Sequence, residues 1–230
     1  AYWSLWLFGT MFFVALFAEL IANDKPLLVS YQGEWRAPVF QYFSEAQYGG
    51  DFQTEAIYKE LETQCLIESG GLEICLDEPV ESLAALAAGA TELDGQAVQP
   101  GWMIWPPIPY SFNTINYDIA QAPSKPDVNH WLGTDDQTRD VLARIIYGFR
   151  ISTLFGLVVV FFSSIIGVAA GAVMGYFGGW VDLILQRLVE IWDGMPMLYV
   201  IIILAALFDI TFPLLVLLVI LFSWTGLLGV

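Results

Sequence analysis

Apolar and polar residues alternate along this chain in long blocks, and the longest apolar block lies near the middle. It extends from Ile151 to Val181 without a charged residue, and Arg150 and Asp182 bracket it. A helix of about 20 apolar residues crosses the hydrocarbon core of a bilayer. Backbone amides in lipid must be hydrogen-bonded within their own segment, so such a run must be helical. The block therefore predicts a membrane-spanning helix.

Three further apolar segments predict a polytopic, mainly α-helical membrane protein. Residues 1–22 contain Glu19 as their single charge and have aromatic residues at one end, as at a membrane interface. A signal anchor there would give the same topology. Residues 194–230 contain only one charge, at Asp209, where Pro213 also favours a break. The expected membrane helices are 2–22, 150–177, 194–208 and 214–230.

The hydrophilic segment 23–149 carries most of the charge. It holds 19 of the 24 acidic residues, in a chain whose net charge is −16. Nucleic-acid binding needs a basic surface, so this class of function is excluded. Short helices are expected at 54–66 and 81–90. The proline-rich stretch after residue 100 is expected to be extended, with Trp102, Trp105 and Tyr110 as anchors.

Two cysteines, Cys65 and Cys75, are the only ones in the chain, and both lie in the acidic segment. If that segment is extracytoplasmic, they could form a disulfide. The alternative is two free thiols. Their spacing fits no zinc site and no histidine is nearby, so metal binding is not expected.

Glycines recur every fourth residue in the second half of the central apolar block. Small residues at this spacing form a stripe on one helix face, where another helix can approach closely. Glycine is also more frequent in membrane helices generally, which is the simpler explanation. We interpret the stripe as a helix-packing groove formed by Gly167, Gly171, Gly175 and Gly179.

Charged residues cluster just before the central block. If the chain is helical from residue 140, Asp140 and Arg144 form an i,i+4 pair, and Arg150 lies on another face. This cluster is either a solvated charged collar at the membrane edge or a gate or docking element. Arginine suits the second role because its planar group binds carboxylates with two hydrogen bonds. The cluster consists of Asp135, Arg139, Asp140, Arg144 and Arg150.

Other polar residues nearby do not indicate catalysis. Residues 133–135 fit a helix N-cap better than a metal site or an acid–base pair. His130, the single histidine, is expected to form structural hydrogen bonds. No lysine follows a glycine, so the chain contains no phosphate-binding P-loop. We therefore do not expect an enzyme.

The segment 129–152, NHWLGTDDQTRDVLARIIYGFRIS, resembles the pattern LGTDxxGRDxxxRxxxGxRxS. This pattern precedes the second membrane helix in permease subunits of bacterial ABC importers for dipeptides, oligopeptides and nickel. The segments LIANDKPLLVSYQGEW and GWMIWPPIPYSFNTIN resemble the Yej-type branch, which imports oligopeptides and microcin C. The resemblance does not extend to residues 51–99, which are interpreted as a branch-specific insertion. The matching residues are Leu132, Gly133, Thr134, Asp135, Arg139, Asp140, Arg144, Gly148, Arg150 and Ser152.

The resemblance implies a fold like that of type I ABC importer permeases. It implies that the chain forms half of a translocation pathway, as a heterodimer with a homologous permease. Two ATPase subunits, or a fused double ATPase, would bind ATP and Mg²⁺, with no cofactor in this chain. A periplasmic peptide-binding protein would deliver the solute. The loop that docks the ATPase would follow Val230, so we expect a fragment that lacks the C-terminal part.

The resemblance also implies a multi-pass protein of the bacterial inner membrane, with a large periplasmic loop. Three arginines near a membrane helix would instead favour the cytoplasm, but this rule weakens in loops longer than about 60 residues. The family has glycine where this chain has Thr138, so a tight turn there is in doubt. The alternative functions are a membrane-anchored periplasmic binding or sensor protein and a membrane-embedded enzyme.

Overall fold

A computed structural model describes residues 2–209 and 211–228, and the chain divides into two compact units. The units are Ala1–Arg150 and Ile151–Val230. The first unit contains α1 (Tyr2–Leu16), α2 (Ala18–Ile21), β1 (Leu28–Tyr31), β2 (Glu34–Arg36), α3 (Leu61–Ser69), α4 (Ile74–Asp77), α5 (Pro79–Ala87), β3 (Glu92–Leu93), β4 (Gln96–Ala97) and β5 (Trp102–Ile104). Helix α6 (Val141–Phe177) begins in the first unit. The second unit continues with α7 (Gly179–Asp193), α8 (Met197–Leu207), α9 (Phe212–Ser223) and a 3-10 helix, Trp224–Leu227.

A three-stranded antiparallel sheet forms one side of the first unit, in the order β2-β1-β5. Val29 in the central strand is fully buried and faces the core. Its neighbour Ser30 pairs with Trp35 on one side and Trp102 on the other, so both indoles lie on the opposite, outer face. The expectation that Trp102 anchors the proline-rich stretch is therefore wrong. Trp105 does pack against the core, because side chains alternate between the two faces of a strand.

The main core of the first unit lies between this sheet and the short helices that follow it. Its buried residues come from β1, from the 3-10 turn Glu45–Tyr48 and from the segment 51–99. Cys65 and Cys75 form a disulfide in this core, and both side chains are fully buried. The segment 51–99, interpreted from the sequence as an insertion, is thus an integral part of the fold. The core residues are Val29, Tyr31, Tyr48, Ala56, Tyr58, Cys65, Leu66, Ile67 and Cys75.

The short helices lie close to their predicted positions, but the first is shifted. It extends from Leu61 to Ser69, and Gly70, whose backbone is left-handed, caps it. The alanine-rich helix, Pro79–Ala87, begins with a proline in its first turn, where the missing N–H is not needed. A small hairpin follows at 92–97, with Asp94-Gly95 at its turn and both residues at positive φ.

One glycine of the first unit sits where two backbones approach each other. A Cβ atom on Gly101 would lie 2.1 Å from the Ile67 carbonyl oxygen and 2.6 Å from the Ser30 carbonyl oxygen. Real Cβ atoms are never this close to backbone atoms, so only glycine fits between β1 and the end of α3.

In the second unit, glycine and proline residues lie where the apolar helices begin and end. Helix α6 ends at Phe177, because Gly178 and Gly179 both adopt left-handed φ angles, of 53° and 55°. Helices α7 and α8 are bent by 67° relative to each other at a break before Met197. Pro213 lies in the first turn of α9 rather than in the preceding turn, as its fixed φ permits.

Among the described residues, α6 alone is long and apolar enough to cross a bilayer as a single helix. The bent pair of α7 and α8 would add a second crossing if it counts as one span. The apolar helices Tyr2–Leu16 and Phe212–Leu227 are shorter than a bilayer-spanning helix requires. The four predicted spans thus stay a prediction, and residues 229 and 230 of the last one lie outside the described residues.

Candidate functional site

The charged residues before α6 form three separate clusters, and the first is centred on Asp140. Its side chain is almost fully buried, with 1% exposed. Asp140 Oδ1 accepts the backbone N–H of Ala143 at 2.7 Å and so caps the first turn of α6. Its other oxygen, Oδ2, lies 2.9 Å from Nδ1 of buried His130. The negative charge also suits a helix N-terminus.

The hydrogen bonds around His130 define which ring nitrogen carries its proton. Asn116 Oδ1 accepts the backbone N–H of Asp118 at 3.0 Å, so Asn116 presents its NH₂ group to His130 Nε2, at 3.1 Å. Nε2 is therefore an acceptor, and Nδ1–H donates to Asp140. The ring also packs against Tyr110, with centroids 4.3 Å apart. His130 is a structural residue here, as its isolation in the sequence predicts.

The second cluster is centred on Asp135, which holds two arginines. Its Oδ2 accepts hydrogen bonds from Arg139 Nε at 2.9 Å and from Arg144 Nη1. Its Oδ1 accepts the backbone N–H groups of Gln137 and Arg139 at 2.9 and 3.0 Å. Burial opposes the charge, but these donors and the Arg139 guanidinium outweigh it and lower the pKa of Asp135 to about 2. The cluster is a fixed, ionised centre with the more exposed Arg144 at its rim.

Two predictions about these residues are wrong. Arg144 pairs with Asp135 and not with Asp140, because the Asp140 carboxylate is already used by the helix cap and by His130. The helix also begins after Asp140, so residues 133–135 are not its N-cap. They instead start a closed loop, in which the Asp135 N–H donates to the Arg139 carbonyl. Spacing along an assumed helix could not reveal that the chain turns back here.

The tight turn in this loop is present although glycine is missing. Thr138 adopts a left-handed φ of 59°, and its N–H donates to the Asp135 carbonyl at 3.1 Å. A β-branched residue is disfavoured in this conformation. The hydrogen bonds that Asp135 accepts from the surrounding backbone hold the turn in place.

The third cluster joins α6 to the first helical segment. Arg150 donates from Nη1 and Nη2 to the two carboxylate oxygens of Glu19, at 2.7 and 3.0 Å. One turn earlier, the Tyr147 hydroxyl donates to the Ala22 carbonyl at 2.8 Å. Arg150 is therefore separate from the Asp135 cluster. The sequence does contain a signal for this pair, because a lone acid in one apolar segment and a base bordering another are candidates for pairing.

The glycine stripe is only partly a packing surface within the second unit. A Cβ on Gly167 would lie 2.8 Å from the Trp224 carbonyl oxygen, and one on Gly171 would lie 3.4 Å from Leu228. No atom of the described residues lies within 4 Å of the corresponding position at Gly175. Gly179 does not belong to the stripe, because α6 ends before it. The close contact is thus confined to Gly167 and Gly171, against the segment that follows α9.

Comparison with known proteins connects these clusters to a family. No protein-family model matches the chain. The peptidoglycan transport system permease protein YejE of Agrobacterium fabrum is 42% identical over 255 aligned residues, which include 100% of this chain and 58% of the relative. The inner membrane ABC transporter permease protein YejE of Escherichia coli is 40% identical over 230 residues, with 100% and 59% covered.

Its sequence places this chain among the Yej-type permeases of ABC transporters. The wider family matches over a shorter part. The dipeptide transport system permease protein DppC of Bacillus subtilis is 38% identical over 95 residues, which are 41% of this chain and 30% of the relative. This Yej-type chain spans somewhat less than three fifths of the length of its two YejE relatives.

The Yej-type relatives also bear on the alternatives drawn from the sequence. The names of these matched proteins describe permeases of transport systems. They give no support to a membrane-anchored binding or sensor protein. The mainly α-helical fold expected of such a permease is present.

Proposed function

We propose that this chain is part of the inner-membrane permease subunit of an ATP-driven ABC importer for peptide-like solutes. The observation that carries the proposal is the similarity to two YejE permeases along the whole chain. Relatives named for dipeptide and oligopeptide transport support the solute class. Microcin C, a peptide–nucleotide, is the finer substrate that we propose from the sequence resemblance. Bacteria that lack the gene for this chain should lose uptake of a labelled oligopeptide and become resistant to microcin C.

A control and a contrary result make this test decisive. Restoring the full-length gene should restore both phenotypes, which excludes an effect on neighbouring genes. If uptake of both solutes stays intact without the gene, the importer assignment is wrong. If only microcin C sensitivity stays intact, the peptide function holds and the finer substrate is wrong.

We also propose the subunit composition. This subunit pairs with a homologous permease, and two ATPase subunits or a fused double ATPase supply ATP, Mg²⁺ and hydrolysis. A periplasmic peptide-binding protein completes the system. Helices α8 and α9 and the part of α6 after Arg150 carry no charge, which supports a role as half of a pathway because fixed charges would trap cargo. Affinity purification of the tagged full-length protein should co-isolate a second permease and an ATPase, and purification without either would contradict this composition.

The orientation is a separate proposal: residues 23–149 lie in the periplasm. The disulfide between Cys65 and Cys75 supports this side, since disulfides persist in oxidising compartments. A cysteine introduced at exposed Glu92 should react with a maleimide that cannot cross the inner membrane. A cysteine at Arg187 in α7, on the opposite side in the proposed topology, should react only after the membrane is opened. The reverse pattern would overturn the topology.

Finally, we propose that the Asp135 cluster acts as a gate or docking element. Two observations support it: Asp135 is rigidly held, and Arg144 is the more exposed of the two arginines it binds. Replacing Arg144 with alanine should reduce uptake more than it reduces the amount of protein in the membrane. Arg187→Ala, which breaks an exposed ion pair on α7, is the matched control. If uptake of both variants falls only with abundance, Arg144 is a structural residue.

A further inference from the structure

A cleft of about 1210 Å³ opens in the first unit, and two of its lining residues, Tyr110 and Asn116, also contact His130. This volume is somewhat larger than the usual range of about 300–1,000 Å³ for small-molecule sites in proteins. Its walls combine aromatic and apolar side chains, among them Trp105 and Tyr110, with carboxylates that include Asp24 and Asp118. A cleft with apolar walls and a few convergent polar groups is the usual form of a ligand site.

Lys59 is the unusual residue of this cleft. Its Nζ lies 3.4 Å from the centroid of the Tyr110 ring, in a cation–π contact, and its side chain is half-buried. Among the residues that the structure describes, no acceptor or carboxylate lies within bonding distance of this ammonium. The second lysine of the cleft, Lys25, is by contrast paired with Glu55. Lys59 therefore keeps its hydrogen-bond donors unused.

The surroundings of Lys59 oppose its charged form. Burial lowers the pKa of Lys59 to about 8, even though the charges of Asp24, Asp118 and Asp140 favour its protonated form. Burying a charge without a hydrogen-bonding partner is unfavourable, and a partner that arrives with a ligand would remove this penalty. A ligand carboxylate would supply the hydrogen-bond acceptor that Lys59 lacks among the described residues.

We propose that this cleft binds the carboxylate end of a short peptide, with Lys59 donating hydrogen bonds to the carboxylate. The cleft is lined by four carboxylates and two lysines, so its net negative charge repels a polyanion. A zwitterionic peptide satisfies both signs: its carboxylate meets Lys59 and its ammonium group is attracted to Asp24 and Asp118. The indole of Trp105 and the ring of Tyr110 contact its apolar part.

This inference goes beyond the proposed import function, because it assigns a ligand to the first unit itself and requires no transport. The first test is calorimetric titration of the detergent-solubilised chain with trialanine, trialanine amide and inorganic phosphate. Trialanine should bind. Trialanine amide should bind at least about tenfold more weakly, since it lacks the charged acceptor. Equal binding of acid and amide, tighter binding of phosphate, or no binding of trialanine would overturn the proposal. These results do not depend on uptake, so failure of the import function would be recognised separately.

The second test removes the cation. Lys59→Met keeps the length of the side chain and should weaken trialanine binding about tenfold, to the level of the amide. Lys125→Met, at a lysine outside the cleft, is the matched control and should bind like the wild type. Because an unpaired cation is removed, Lys59→Met should unfold at no lower temperature than the wild type. Unchanged binding by Lys59→Met would refute the role of Lys59; if the variant does not fold, the comparison of acid and amide on the wild-type chain decides.

Discussion

Asp140 offers the sharpest test of how the start of α6 is held. Replacing it with alanine removes two interactions at once. Loss of the cap on Ala143 N–H costs about 1 kcal/mol. The Nδ1–H of His130 is left buried without an acceptor, at about 1–3 kcal/mol. The free energy of unfolding of the first unit should therefore fall by about 2–4 kcal/mol.

Asparagine at the same position separates the two contributions. Its side chain has a single acceptor oxygen, and asparagine caps a helix as well as aspartate does. It can therefore keep the bond to Ala143 N–H but then presents an NH₂ group to His130. Asp140→Asn should lose only the histidine contribution, and its unfolding free energy should lie about 1 kcal/mol above that of Asp140→Ala. Asp136→Ala, at an exposed neighbouring acid, should change it by less than about 0.5 kcal/mol.

Guanidinium denaturation of the detergent-solubilised chain, followed by tryptophan fluorescence, measures these differences. The reasoning is refuted if Asp140→Ala is as stable as Asp136→Ala. If Asp140→Asn matches the wild type while Asp140→Ala does not, the cap is important but the bond to His130 contributes nothing. A double-mutant cycle with His130→Ala should show a coupling of about 0.5–3 kcal/mol, as expected for residues in one hydrogen-bond network.

Three further predictions use the same unfolding measurement. Gly101→Ala should lower the unfolding free energy by about 3 kcal/mol, because its Cβ would overlap two backbone carbonyls. The control Gly148→Ala, whose Cβ would meet no described atom within 4 Å, should not lower it, and equal unfolding free energies of the two variants would contradict the close approach. Thr138→Gly should raise it by about 1 kcal/mol by relieving the left-handed backbone, and a decrease would show that the turn is unstrained. Because the pKa of Asp135 is about 2 instead of 3.8, its charge stabilises the fold fully above about pH 4, and this stability is lost as the pH falls toward 2. Asp135→Asn should be less stable than the wild type at pH 7 but should lose less stability between about pH 4 and pH 2, and an equal loss would exclude Asp135 as its source.

Much of the secondary structure follows from local sequence. The uncharged block after Arg150 is helical as far as Phe177, because a run without charges or prolines leaves no other way to satisfy its backbone in lipid. Helix α8 lies within the predicted helix 194–208, since Pro196 precedes its first residue and Asp209 follows its last turn. The permease family likewise follows from local sequence, because the segment 129–152 alone carries ten residues of the family pattern in order.

Two predictions drawn from the spacing of residues were wrong. The stripe of glycines suggested one continuous packing face as far as Gly179, yet Gly178 and Gly179 end the helix. Spacing alone cannot distinguish a glycine that permits close packing from one that permits a left-handed backbone. Likewise, the four-residue spacing of Asp140 and Arg144 suggested a pair that the helix cap excludes.

What the sequence determines by itself is the helical character of the apolar blocks, the acidic segment between them and the family. The partners of the charged residues were decided only by the tertiary structure. Arg150 binds Glu19 across 131 positions. Lys59 contacts the Tyr110 ring but has no hydrogen-bond acceptor among the described residues, in a cleft lined by residues between 24 and 118. Helix periodicity relates residues three or four positions apart, so it has no bearing on contacts over such separations. Whether a charge is paired, capping or unpaired therefore depends on how distant segments pack, and this arrangement sets where the chain can bind a ligand.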